Sequence, residues 1–147
     1  MPIRTHAMSA AARQEAWQSL PPALSRIREA IERSRDILGL SDGWDGEAGR
    51  RIEEASWCRA VDFLTRQAAL MWERFGKILE PPDITPVPDG SIDIHWDRPD
   101  FELLVNIPSL ETATAGFYGD DRGRISIKGE LDIDKVNEGL ALWLMKT

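Results

Sequence analysis

Asp93, His95 and Asp97 stand at alternate positions of the stretch SIDIHWD, residues 91–97. Two carboxylates and an imidazole are ligands a divalent metal accepts. Alternatively, His95 serves as a general base oriented by a carboxylate. The alternation of Ile92, Ile94 and Trp96 with these polar residues reads as a β-strand, which points all three polar side chains to one side. On a strand, neighbours on one side are about 6.5–7 Å apart, too splayed for a tight site without groups from an adjacent strand. Glu102 and Asn106 share one side of the next extended run, FELLVNI (residues 101–107), and would be the groups to supply it. The competing reading is a solvent-facing sheet surface carrying ordinary polar residues.

A second stretch, LSDGWDGEAGRRI at residues 40–52, places Trp44 and Asp45 between glycines. A phosphate loop would need converging backbone N–H groups between a strand and a helix, usually with Lys and Ser/Thr; this stretch lies between two helical patterns and has neither after Gly43. A calcium loop starting at Asp42 would fill ligand positions with Trp44, Ala48 and Arg50, which offer no suitable side-chain oxygen. Both are rejected. One remaining reading is a turn in which glycines take positive φ, Asp45 bonds loop N–H groups and Trp44 plugs the space between helices. The other makes Trp44 and Asp45 a binding site for a ligand or partner. Cys58 is the only cysteine and reads as a small buried thiol in a helix. A nucleophilic role would require His6 or His95, the only histidines. GxSxG, HExxH and GxGxxG are all absent.

The elements that must hold these residues follow from periodicity. A short helix is expected within AARQEAWQSL (residues 11–20). Pro21-Pro22 then opens a stronger helix whose stripe is Leu24, Ile27, Ile31, Ser34 and Leu38, closed by Gly39. A second helix, from about Ile52 to Leu79, carries Trp57, Val61, Leu64, Ala68, Met71 and Phe75 on one face. Gly76 or Pro81-Pro82 ends it, and the two helices should pack antiparallel. From residue 83 the period becomes two. DITPVPDG (residues 83–90) reads as a proline-punctuated edge strand, and SIDIHW, FELLVNI, TAGFY and RISIK follow across short, turn-rich connectors. In RISIK, Ile125 and Ile127 are expected inward, with Arg124, Ser126 and Lys128 outward. Short connectors imply antiparallel hairpins, since a parallel crossover needs a dozen or more residues. A last helix should start after Asp132 as N-cap, with a Leu131–Val136 staple and Ile133, Val136, Leu140 and Trp143 buried. The six tryptophans are otherwise core residues, with Trp17 the least committed.

Bulk composition bounds the function. With 42% hydrophobic and 29% charged residues the chain is an ordinary globular one. The longest apolar run, LALWLM at residues 140–145, is far short of the roughly 20 residues a membrane span needs, and the N-terminal stretch lacks an apolar signal core. A cytoplasmic location is expected. Net charge is −7 and unevenly placed: residues 1–80 hold 12 of the 18 Lys+Arg and 12 of the 25 Asp+Glu, leaving 6 against 13 for residues 81–147. An acidic second half repels phosphate backbones and suits a basic protein partner.

Gly43-Trp44-Asp45-Gly46 ahead of a long helix, followed by PPDITPVPDGSIDIHW (residues 81–96), resembles a family of small uncharacterised bacterial proteins. These pair a GWDG turn with a P-x-I-x-P-x-x-D-G-x-I-x-x-x-W strand segment. The likeness spans residues 38–128, implies the same α+β order and carries over no catalytic residue. The family pattern continues as GWDGYGA where this chain reads GWDGEAG, so no binding role is carried over to that loop.

The expected architecture is therefore a single α+β domain over residues 1–147. It has a flexible tail over 1–9, a helical part over 23–80, an antiparallel sheet of four or five strands over 83–128 and a C-terminal helix over 132–146, with helices on one face of the sheet. The expected function is a small non-enzymatic protein-interaction module, using its acidic sheet face or the 42–49 turn to bind another protein. The alternative is a metal-assisted hydrolase centred on Asp93, His95 and Asp97. Trp44, Asp45, Asp93, His95 and Asp97 are the candidate binding residues. No cofactor or metal is assigned, nucleic acid and membrane are not expected partners, and self-association through the sheet face stays open.

Overall fold

The computed structural model describes residues 16–123 and 125–145. The expected tail over 1–9, His6, the first half of the short helix and the outward side chain of Arg124 lie outside them. Residues 16–18 are helical, and Trp17, the least committed of the tryptophans by sequence, is buried in the core. A 3-10 turn, Pro22–Leu24, leads into α1, Ser25–Ser34, with proline in the opening turn as expected. Leu24, Ile27, Ile31 and Ser34 are buried, but the chain then tightens into a 3-10 helix, Arg35–Gly39. Three residues per turn bring Ile37 beneath Ser34 and into the core, so the expected Leu38 is only partly covered. Gly39 is inside that 3-10 stretch and is not a left-handed cap. Leu40 ends it, donating its N–H to Ile37 O at 3.2 Å.

Helix α2 spans Glu54–Phe75. Trp57, Val61, Leu64, Ala68 and Met71 are buried as the stripe demands, and Ala60, Phe63 and Gln67 are buried too, so α2 is covered on most of its circumference. Phe75 is 38% exposed, because the last residue of the helix has run past the core. Gly76 ends it at φ 62°: its N–H reaches Trp72 O at 3.1 Å, the bond of a left-handed αL cap, and Lys77 N–H reaches Met71 O at 3.0 Å. The Trp57 indole donates to Ser34 Oγ at 2.9 Å, joining the end of α1 to the start of α2. Arg26 bonds Glu80 at 3.3 Å, joining the start of α1 to the chain just beyond α2. The pair is antiparallel.

Five strands follow: β1 Asp83–Pro86, β2 Ile92–Asp97, β3 Glu102–Ile107, β4 Ala115–Asp120 and β5 Ser126–Leu131. They form one antiparallel meander in chain order. Ile92, Ile94 and Trp96 pair with Ile107, Val105 and Leu103, and all six are buried under the helices. The Trp96 indole also donates to Glu80 O at 2.7 Å. The other face carries no helix among the described residues. Ile125, expected inward, precedes β5 in the hairpin turn and is 55% exposed; Ile127, inside the strand, is partly buried.

The last helix is shorter than expected: α3 is Glu138–Leu144. Asp132 caps a turn instead, accepting from Asp134 N at 2.9 Å, while Asn137 is the true N-cap, its Oδ1 accepting from Leu140 N at 3.0 Å. The reason is tertiary. Arg66 of α2 bonds the carbonyls of Ile133 and Asp134. The buried Gln67 amide takes both backbone groups of Asn137, at 2.8 and 3.2 Å. With its one N–H given to Gln67, Asn137 cannot donate to Ile133 O as a helix running through 133–137 would require. Its carbonyl still accepts Ala141 N–H at 3.2 Å as the first bond of α3. Val136, the expected staple, is consequently 41% exposed.

Candidate binding site

The 42–51 loop closes on itself. Asp42 Oδ1 accepts Arg51 N at 2.9 Å, Gly43 N donates to Gly49 O at 2.6 Å, and Gly46 N donates to Gly43 O at 3.0 Å. Gly43 and Gly46 sit at φ 84° and 82°, where a side chain would be strained. Asp45 behaves as expected: one oxygen accepts Glu47 N at 2.9 Å and Gly49 N at 2.8 Å. The Glu47 N–H, then that of Gly49, hold its carboxyl below the ordinary carboxylate range. A Cβ on Gly49 would lie 2.5 Å from that carboxylate, so a side chain there would have to push Asp45 aside.

Trp44 departs from expectation. It is not among the core residues but part-exposed, lying along its own loop with its indole donating to Arg50 O at 2.8 Å. The bond to its own loop, and not the space between the helices, is what fixes the indole. The loop docks instead on the β1–β2 hairpin, through Arg50 N to Pro88 O at 2.8 Å, with Gly90 (φ 90°) tucked against Arg50 and Arg51. In that hairpin, Asp89 accepts from both the backbone and the hydroxyl of Ser91, and the hydroxyl contact first of all depresses its pKa. A polar cleft of about 610 Å³ opens at the base of the loop between Leu38–Asp42 and Arg51–Glu54; neither Trp44 nor Asp45 lines it.

On the sheet, Asp93, His95 and Asp97 all lie on the open face, as the alternation requires. They do not converge. Asp93 accepts from Asn106 Nδ2 at 2.8 Å, its direct neighbour on β3. His95 faces Leu104 and reaches diagonally to Glu102, Nε2 to Oε2 at 2.7 Å. An ionised carboxylate only accepts, so in this contact Nε2 carries the proton. Asp97 is paired with Arg122. Among the described residues no three His, Cys, Asp or Glu side chains are arranged to hold a metal ion. The anticipated neighbours Glu102 and Asn106 are present, but they pair off the candidate residues one by one.

Register supplies what periodicity could not show. A central row across the open face runs His95, Leu104, Tyr118, Lys128, and beside it runs Asp97, Glu102, Asp120, Ser126. Tyr118 is 44% exposed and donates to Asp120 at 3.3 Å; the charge of Asp120 raises its pKa. Arg122, at the tip of the β4–β5 hairpin, has φ 68°, a conformation that costs a non-glycine residue energy. Its N–H bonds Asp120 at 3.0 Å, and its guanidinium spans Asp97 and the Arg98 carbonyl, 3.9 Å from Glu102. Tyr118, Asp120 and Arg122 border a surface pocket of about 460 Å³. All three escape a sequence reading, since GDDRG reads only as a turn and TAGFY only as a strand until the register is known. On this face Asp83, Asp93, Asp97, Glu102, Asp120 and Glu130 stand against Lys128 and His95, with Arg122 reaching in from the turn. Compared with protein-family models, curated proteins and solved structures, the chain has no significant match.

Proposed function

We propose that the chain is a protein-interaction module whose open sheet face receives a basic polypeptide segment. The observation that supports this reading is the layout of that face. A part-apolar centre, Leu104 and Tyr118, is ringed by six carboxylates, and among the described residues no helix covers this side of the five-stranded sheet. An aromatic anchor inside a charged rim is how binding surfaces combine affinity with electrostatic steering. The loop at 42–51 is assigned the other role, holding the α1–α2 connection against the β1–β2 hairpin, because its polar groups already bond within it.

The test is titration calorimetry with a lysine-rich peptide at low and high salt. Binding should weaken steeply with salt. It should fall several-fold in Glu102→Gln/Asp120→Asn and in Tyr118→Ala, yet persist in Trp44→Ala and in the charge-matched control Glu29→Gln/Glu32→Gln on α1. No binding at low salt overturns the proposal, as does an equal loss in the control.

A further inference from the structure

The two edges of the sheet are protected very differently. β1 has four residues, one of them Pro86, and follows Pro81-Pro82; Ala30 and Arg33 of α1 stand beside it across a narrow cleft. Proline and a flanking helix are standard guards against edge-to-edge pairing. β5 has six residues, no proline and no bulge in its register with β4. Among the described residues, no main-chain hydrogen bond reaches its outer side. A ladder of unpaired N–H and C=O groups is therefore left facing out.

We infer that β5 pairs antiparallel with β5 of a second copy, about a two-fold axis through Gly129, to make a continuous ten-stranded sheet. Charge complementarity selects this register. Lys128 and Glu130 lie on the open face, and with the axis at Gly129 each faces the other's counterpart in the second copy, Lys128 to Glu130 and Glu130 to Lys128. On the helix-covered face the same register sets Ile127 against Leu131, continuing the apolar layer. Moving the axis by one residue either way sets Lys128 against Lys128 or Glu130 against Glu130. A half-step would put the apolar face of one copy beside the polar face of the other. Gly129 at the axis is not a hole, since the Phe117 ring lies over it, 3.2 Å from where a Cβ would be. An edge lysine normally discourages pairing; here, counting partners within β5, it meets a carboxylate only with the axis at Gly129. Strand pairing by itself buries less than a standard interface, so the dimer should be weak, with a Kd of about micromolar or above. This inference does not rest on the basic-partner reading, because it starts from the outward main-chain groups of β5. Lys128 and Glu130 also stand on the open face, but the test reads association of the chain with itself and not peptide binding.

Sedimentation velocity over a concentration series tests it. The wild-type chain should move from monomer to dimer as concentration rises. Lys128→Glu and Glu130→Lys, both at exposed positions, should each shift the transition at least tenfold upward, and the combined Lys128→Glu/Glu130→Lys protein should return it toward wild type. An equal mixture of Lys128→Cys and Glu130→Cys proteins should cross-link on mild oxidation, as neither does alone. A wild-type chain that stays monomeric throughout overturns the inference. So does a dimer that the single charge reversals leave unchanged, or a double reversal that fails to restore it.

Discussion

The 42–51 loop and the open sheet face carry the same kinds of residues, acids and an aromatic among small neighbours, but they direct them oppositely. In the loop, Asp42, Asp45 and the Trp44 indole all bond backbone groups of residues 47–51, and the product is a fixed shape. On the sheet, side chains bond one another across strands, and six carboxylates outnumber the cations among them. A group that satisfies its own backbone makes structure; a surplus of like charge on a rigid, open surface makes an attraction for something else. The comparison teaches that a conspicuous motif can spend its polar groups on its own backbone.

The sharpest way to break this contrast is Gly49→Ala. A Cβ 2.5 Å from the Asp45 carboxylate must displace it and both of its hydrogen bonds, so urea denaturation should show a loss of about 1–3 kcal/mol, the usual range for forced overpacking. An unchanged midpoint would mean the loop is looser than its bonds suggest.

Acid comes next. Asp45 and Asp89 both have folded-state pKa values below the ordinary 3.8. Above 3.8 both are ionised whether folded or not, and their stabilisation is fully present. As pH falls below that value the unfolded chain takes up protons first, and the stabilisation drains away until the folded-state values are passed. Urea midpoints at neutral pH and at about pH 3 should therefore differ less in Asp45→Asn than in wild type.

The smallest effect is expected on the open face. Tyr118→Ala should change stability by no more than about 0.5 kcal/mol, as exposed substitutions usually do, and Glu102→Gln, part-buried but still able to accept from His95, by about 1 kcal/mol at most, while both weaken peptide binding. A large loss of stability from either would make that face a structural element like the loop and dissolve the distinction.

How much was legible beforehand can be read from particular residues. Gly76 was a foreseeable cap, because a glycine after an apolar stripe has one local meaning; Gly39 looked the same and was not, since the chain had tightened to three residues per turn. Asp45 was read correctly, its partners being two and four residues away. Trp44 was not, because whether an indole reaches the core depends on what else it can bond, and the Arg50 carbonyl holds it along its own loop. Arg122, Tyr118 and Asp120 gave no signal, since their neighbours lie on other strands.

By itself the sequence determined the α+β class, the meander and the face on which Asp93, His95 and Asp97 stand, because backbone geometry turns spacing directly into direction. Tertiary structure alone decided that His95 meets Glu102 and Asp97 meets Arg122, that the last helix waits until Glu138, and that β5 has no strand beyond it among the described residues. Those outcomes rest on strand register and on side chains far apart in the chain competing for the same backbone groups, and no local pattern encodes the winner.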